Sequence, residues 1–255
     1  MQRDGLLQRI GARLGGFLER DKPASPVHIA QDFTALAASL RVGDVLLVEG
    51  RAKVSAAIRY ATQSTWSHAA LCVQDAAGGG CELVEVTLRD GCHRIRLARY
   101  AGYNTRICRP ASLTAAERQA VADYMIAQIG IQYDMRNIFD LVRYLLPVPP
   151  VPARFRRRML ALGSGDPTRA ICSSLVARAF QSVRYPVLPR ISYVRASRAS
   201  RSQRRELWHI RHHSLYVPRD FDLSPYFQVI KPTLEAGFDH RGIRWAASDA
   251  GLGMG

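Results

Sequence analysis

WSHAALCVQDAAGGGCELVEVTL, residues 66–88, is the stretch whose reading decides the fold. WSHAALCVQ, 66–74, reads as a strand, DAAGGG, 75–80, as a turn, and CELVEVTL, 81–88, as the returning strand of a hairpin. The two strands are then antiparallel neighbours. Side chains alternate along a strand, so Glu85 shares a face with Leu83 and Thr87, and Glu82 points to the other. The sequence leaves the register open, and either glutamate can meet His68.

More strands flank the hairpin. Upstream, Gly43 and Asp44 turn the chain into a buried strand at Val45–Val48, and 53–63 has the pattern of a helix. Downstream, Cys92, Arg94 and Arg96 alternate with His93, Ile95 and Leu97, which predicts a third strand over 91–100. NTRICRP, 104–110, is a fourth. Thr114 and Glu117 form a capping box that opens a helix. Val121, Tyr124, Met125 and Ile129 are its inner stripe, and Gly130 stops it. Residues 32–40 and 137–146 also have helical patterns, while 186–218 reads as a basic, loop-rich stretch. Strands cluster between 45 and 108 and helices fall mainly outside, so the class is α+β.

The chain has 255 residues, ample for one domain with a real core. We expect a domain over 41–230, a basic helical extension over 1–40 and a tail over 231–255. A Pro-rich then Arg-rich piece at 147–168 interrupts the domain. The formal charge of +15, from 36 basic and 21 acidic residues, points to anionic partners. Zinc-finger spacing and the aromatic-basic signature of a single-strand binder are both missing, which argues against nucleic acid and leaves an anionic membrane surface or polymer. Leu6, Leu7, Ile10, Leu14, Phe17 and Leu18 fall at helical spacing with arginines between them. Such a helix lies on a membrane surface or docks on its own domain. No run reaches the roughly 18 apolar residues needed to span a bilayer. Five cysteines without a CxxC pair argue against a disulfide framework and a structural zinc site. Reduced thiols in a cytoplasmic setting fit them.

Chemistry converges on RAICSSLVARAF, 169–180. Cys172 opens an amphipathic helix and shares the stripe of Leu175, Val176, Ala179 and Phe180. A thiol at a helix N-terminus is drawn toward the thiolate, and Ser173 and Ser174 can cap the first turn. Taken alone, the segment favours a buried core cysteine. A nucleophilic thiol needs a base, for which histidine is the usual choice. Of seven histidines, His68 is best placed, His93 sits in a more polar strand, and His212 and His213 lie in a basic loop.

GDVLLVEG (43–50), TQSTWSHAAL (62–71), VEVT (84–87) and ICSSLVARAF (171–180) together resemble the circularly permuted papain-like cysteine hydrolases of the NlpC and YiiX kind. Their catalytic order is histidine, glutamate, cysteine. The resemblance covers roughly 41–183 and extends weakly to PRDFDLSPYFQVIKP (218–232). It implies a papain-like fold, with an antiparallel sheet or partial barrel packed on helices that include the nucleophile helix. It also implies Cys172 as nucleophile, His68 as base and Glu85 as the orienting acid. GIQYD, 130–134, resembles the Gly-x-x-Tyr stretch near such sites and makes Tyr133 a candidate oxyanion or substrate donor.

The expected activity is hydrolysis of an amide or peptide-type bond through an acyl-enzyme, with no metal or organic cofactor. A lipid-directed thiol hydrolase or acyltransferase at an anionic membrane surface is the alternative reading. A non-catalytic binding module with a basic surface is a third. Substrates of the first two carry an amide or ester carbonyl, on a peptide or a lipid.

Overall fold

A computed structural model describes residues 32–87, 89–131, 171–195, 204–209 and 216–242. The expected helices at 1–20 and 137–146, and the 147–168 piece, lie outside these residues.

The centre is β1, Val45–Val48, buried along its whole length. β2, His68–Gln74, and β3, Glu82–Thr87, form the hairpin around a short 3₁₀ turn at Ala76–Gly78. β4 is Gly91–Arg96 and β5 is Thr105–Pro110. With a later strand, β8 (Phe227–Ile230), they make one six-stranded sheet in the order β4-β3-β2-β1-β5-β8. Every neighbouring pair is antiparallel. Alternation sends Val45, Leu47, Ala69, Leu71 and Val84 to one face and Leu46, Val48, Ala70, Cys72 and Leu83 to the other, and both sets are fully buried.

Two helices cover the first face. α3, Ala115–Ile126, begins with the expected capping box, in which Thr114 Oγ1 accepts the Glu117 N–H and the Glu117 carboxylate accepts the Thr114 N–H. α4, Ile171–Ser182, lays Val176, Ala177 and Phe180 against the sheet. Phe180 meets the rings of Tyr185, Phe221 and Phe227 at 5.1–6.3 Å. The second face is closed by α1, Phe33–Ser39, through Leu36 and Leu40, and by Leu97 and Tyr100. α2, Lys53–Thr62, links β1 to β2. A buried ion cluster ties β1 to its surroundings. Asp44 accepts from Arg109 of β5 at 2.8 Å and from Arg118 of α3 at 3.3 Å. Gly43 makes the turn before it at φ +83, where an added Cβ would lie 3.0 Å from Arg118.

The structure corrects three expectations. The third strand ends at Arg96, and Leu97–Tyr100 turns as a 3₁₀ helix. α3 ends at Ile126, so Ile129 is exposed and Ala122 takes its place in the core. The cause is backbone pairing beyond the helix: Gly130 N–H donates to Cys92 O, and Cys92 N–H to Ile131 O. Finally, the stretch expected to be loop contains an antiparallel pair, β6 (Arg190–Arg195) and β7 (Arg204–His209). Past it, α5 (Pro218–Leu223) leads into β8, and α6 (Pro232–Glu235) packs against α1.

Candidate active site

His68 is the first residue of β2, opposite Val48 of β1. Leu71 pairs with Val84, and carrying that register back toward the strand start sets Glu85 diagonally across from His68 on the same face. His68 Nε2 lies 2.7 Å from Glu85 Oε2. Glu82 points away and pairs with Arg94 at 2.6 Å near the surface. Register therefore resolves what alternation alone left open between the two glutamates.

α4 begins at Ile171, so Cys172 lies in its first turn, where backbone N–H groups have no partner within the helix. The packing of α4 on β2 and β3 brings the thiol to the start of β2. The thiol comes close enough to His68 and to the backbone N–H groups of Ala69 and Ser173 for each of them to favour the thiolate. With Nε2 on Glu85, Nδ1 is the ring nitrogen left for the thiol. The Ser173 hydroxyl donates to Tyr216 O at 2.8 Å. Ser174 Oγ is buried without a hydrogen-bond partner among the described residues.

Glu85 is almost fully buried and serves three groups. Besides His68, Tyr100 donates its hydroxyl to Oε2, and His93 Nε2 lies 3.3 Å from Oε1. His93 sits directly opposite Glu85 on β4. Tyr100 is braced edge-on by Tyr103 at 5.6 Å, and the Arg51 guanidinium lies 4.2 Å from the centre of the Tyr103 ring.

Charge follows from these contacts. Burial disfavours the Cys172 thiolate, but the His68 charge and the donors beside the sulfur outweigh it and hold the thiol below its ordinary pKa. Burial likewise disfavours a charged His68, yet Cys172 and Glu85 hold its pKa well above the usual value. Glu85 would also rise on burial, and His68, His93 and Tyr100 instead keep it far below the carboxylate range. The two charges favour one another: a protonated His68 stabilises the Cys172 thiolate, and the thiolate stabilises the imidazolium. The other buried thiols behave in the opposite way. Desolvation pushes Cys72 and Cys108 far up, and Cys92 to about 11.

Of the residues singled out in the sequence, Cys172, His68 and Glu85 are brought together. His93 also joins, through Glu85 and not as the base. Tyr133, His212 and His213 lie outside the described residues. Tyr100 escaped the sequence reading because LARY continues the alternation of β4. Among the described residues, no group of three or more His, Cys, Asp or Glu is arranged to hold a metal ion. No helix among them is long and apolar enough to cross a membrane.

No protein-family model matches this chain, and no curated protein matches it. Among solved structures, the chain is similar to the metalloprotein yiiX from Escherichia coli O157:H7, described as DUF1105. Identity is 14% and the TM-score is 0.46, over 75% of this chain and 96% of that one.

Proposed function

We propose that the protein is a cysteine hydrolase of permuted papain-like design, with Cys172 as nucleophile, His68 as acid and base, and Glu85 as the orienting carboxylate. One observation carries the reading: a first-turn helix cysteine beside a histidine whose Nε2 is 2.7 Å from a buried glutamate. A nucleophile, a base and an orienting group in contact are what acyl transfer needs.

In this reading the Cys172 thiolate attacks the carbonyl carbon of an amide or ester and forms the S–C bond. First-turn N–H groups of α4, that of Cys172 included, face the oxyanion. Its collapse breaks the bond to the leaving nitrogen or oxygen, which takes the His68 proton. The thioester is then attacked by water as His68 accepts a proton. The carboxylic acid leaves, and Cys172 and His68 return to their starting state. Glu85 keeps the imidazole with Nε2–H toward itself and Nδ1 toward the sulfur throughout.

The test uses p-nitrophenyl acetate as an acyl donor. The reading predicts a burst of nitrophenol and a mass gain of one acetyl group on the peptide containing Cys172. Both should vanish in Cys172→Ala and become much slower in His68→Ala. Equal acetylation of the other cysteines, or a burst indifferent to His68, refutes the assignment.

A further inference from the structure

Glu85 has two imidazole neighbours, and only one of them contacts the thiol. The second, His93, has a constrained protonation state. Its Nδ1 lies 3.0 Å from Gly91 O, and its Nε2 lies 3.3 Å from Glu85 Oε1. A carbonyl and a carboxylate are both acceptors without a proton to give. A neutral ring satisfies one of them and turns a lone pair on the other. Only the doubly protonated ring satisfies both.

We infer that His93 is a positioning residue, whose imidazolium, held between Gly91 O and Glu85, keeps that carboxylate ionised and aimed at His68 and so extends the reactive Cys172–His68 pair to acidic pH. The inference rests on the Cys172–His68–Glu85 reading above.

Charge arithmetic explains the direction. Thiolate, His68 imidazolium and Glu85 carboxylate carry a net negative charge in a buried place. A fourth, positive member brings the array to neutrality, which lessens the tendency of any anion in it to take up a proton as pH falls. The groups facing the array come from every side. Glu85 lies on β3, His68 on β2, Cys172 on α4, and Tyr100 on the 3₁₀ turn, with Arg99 beside it. Asp90, in the turn before β4, adds a further negative charge near His93. The His93 pKa is accordingly raised: its hydrogen bond to Glu85 is the largest cause, and burial opposes it. Tyr100 donates to Glu85 in either state of His93, so it holds geometry without supplying charge.

The experiment follows the rate of Cys172 alkylation by iodoacetamide from acidic to alkaline pH, read by peptide mass spectrometry. Wild type is compared with His93→Gln and His68→Ala. Glutamine keeps a donor toward Glu85 and removes the charge. The acid midpoint of His93→Gln should move up by about one pH unit. An acid limb that superimposes on the wild type overturns the inference. So does a uniform loss of rate with no shift of midpoint, which is what a merely structural role produces. Ring nitrogen shifts of the wild-type protein at about pH 5.5 give a second check. Both His93 nitrogens should be protonated, and a neutral ring there refutes the assignment even where the variant does not fold. A wild-type thiol that shows no acid-range reactivity, or keeps it in His68→Ala, fails the underlying reading instead.

Discussion

Replacing Glu85 with Gln should lower the His68 pKa by about 1.5 units. The carboxylate is buried and its Oε2 is 2.7 Å from His68 Nε2. Opposite charges centred about 4 Å apart attract by roughly 4 kcal/mol at an effective dielectric near 20. The His68 side chain keeps 20% of its exposure, and His93 takes up part of the same negative charge. Halving for these effects leaves about 2 kcal/mol, which is about 1.5 pKa units. The amide can still fill the place. Its oxygen accepts from His68 and Tyr100, and its NH₂ faces a neutral His93 whose Nδ1–H stays on Gly91 O. The fold should therefore persist, with an unchanged circular dichroism spectrum. Histidine ring NMR titrations of wild type and variant read the shift directly. A His68 midpoint that does not move in folded Glu85→Gln would falsify the claim that this carboxylate holds the imidazolium.

Other consequences concern stability. Tyr100→Phe removes a donor to a buried charged acceptor and should cost about 1.5–3 kcal/mol in urea unfolding; a neutral effect would mean that Glu85 does not depend on this hydroxyl. The depressed Glu85 pKa stabilises the fold fully above the usual carboxylate range, and this contribution disappears as pH falls toward the folded value. Guanidinium midpoints measured from neutral to acidic pH should accordingly fall more steeply for wild type than for Glu85→Gln, and parallel curves contradict the linkage. Phe180→Ala empties a fully buried aromatic cluster beneath α4 and should cost about 3–5 kcal/mol, with a much smaller loss arguing that the helix is not seated on that ring.

Much of the sheet was legible because its strands are short and buried, and their limits carry turn chemistry. Val45–Val48 is apolar throughout because both of its faces are covered, and DAAGGG marks the hairpin. Within the site, His68 and Cys172 stood out as a pair only through the family resemblance, because a cysteine at a helix start and a histidine at a strand start are each, alone, ordinary core residues. Glu85 needed more, since choosing it over Glu82 from the residues alone requires the hairpin register, which shifts at an irregularity between Cys72 and Gln74 that the sequence does not announce. His93 looked peripheral for a similar reason. Its strand is polar, yet pairing with β3 sets it opposite Glu85. Tyr100 was hidden because local alternation in LARY gives no sign that the chain leaves the sheet at Leu97. The β6–β7 pair was obscured by the density of arginine around it, which read as solvated loop. The end of α3 was misjudged because the competing partner, the backbone of Cys92, is remote in sequence.

The proposed chemistry requires one reactive thiol among five. Brief iodoacetamide treatment of the folded chain at about pH 6, where an ordinary thiol is almost entirely protonated, tests it most directly. Cys172 should be modified rapidly in wild type, while Cys72, Cys92 and Cys108, whose pKa values burial raises, stay intact. The rapid reaction should disappear in His68→Ala. If Cys172 reacts no faster than the other four, or reacts equally well without His68, the thiolate–imidazolium pair does not exist and the proposed chemistry falls with it.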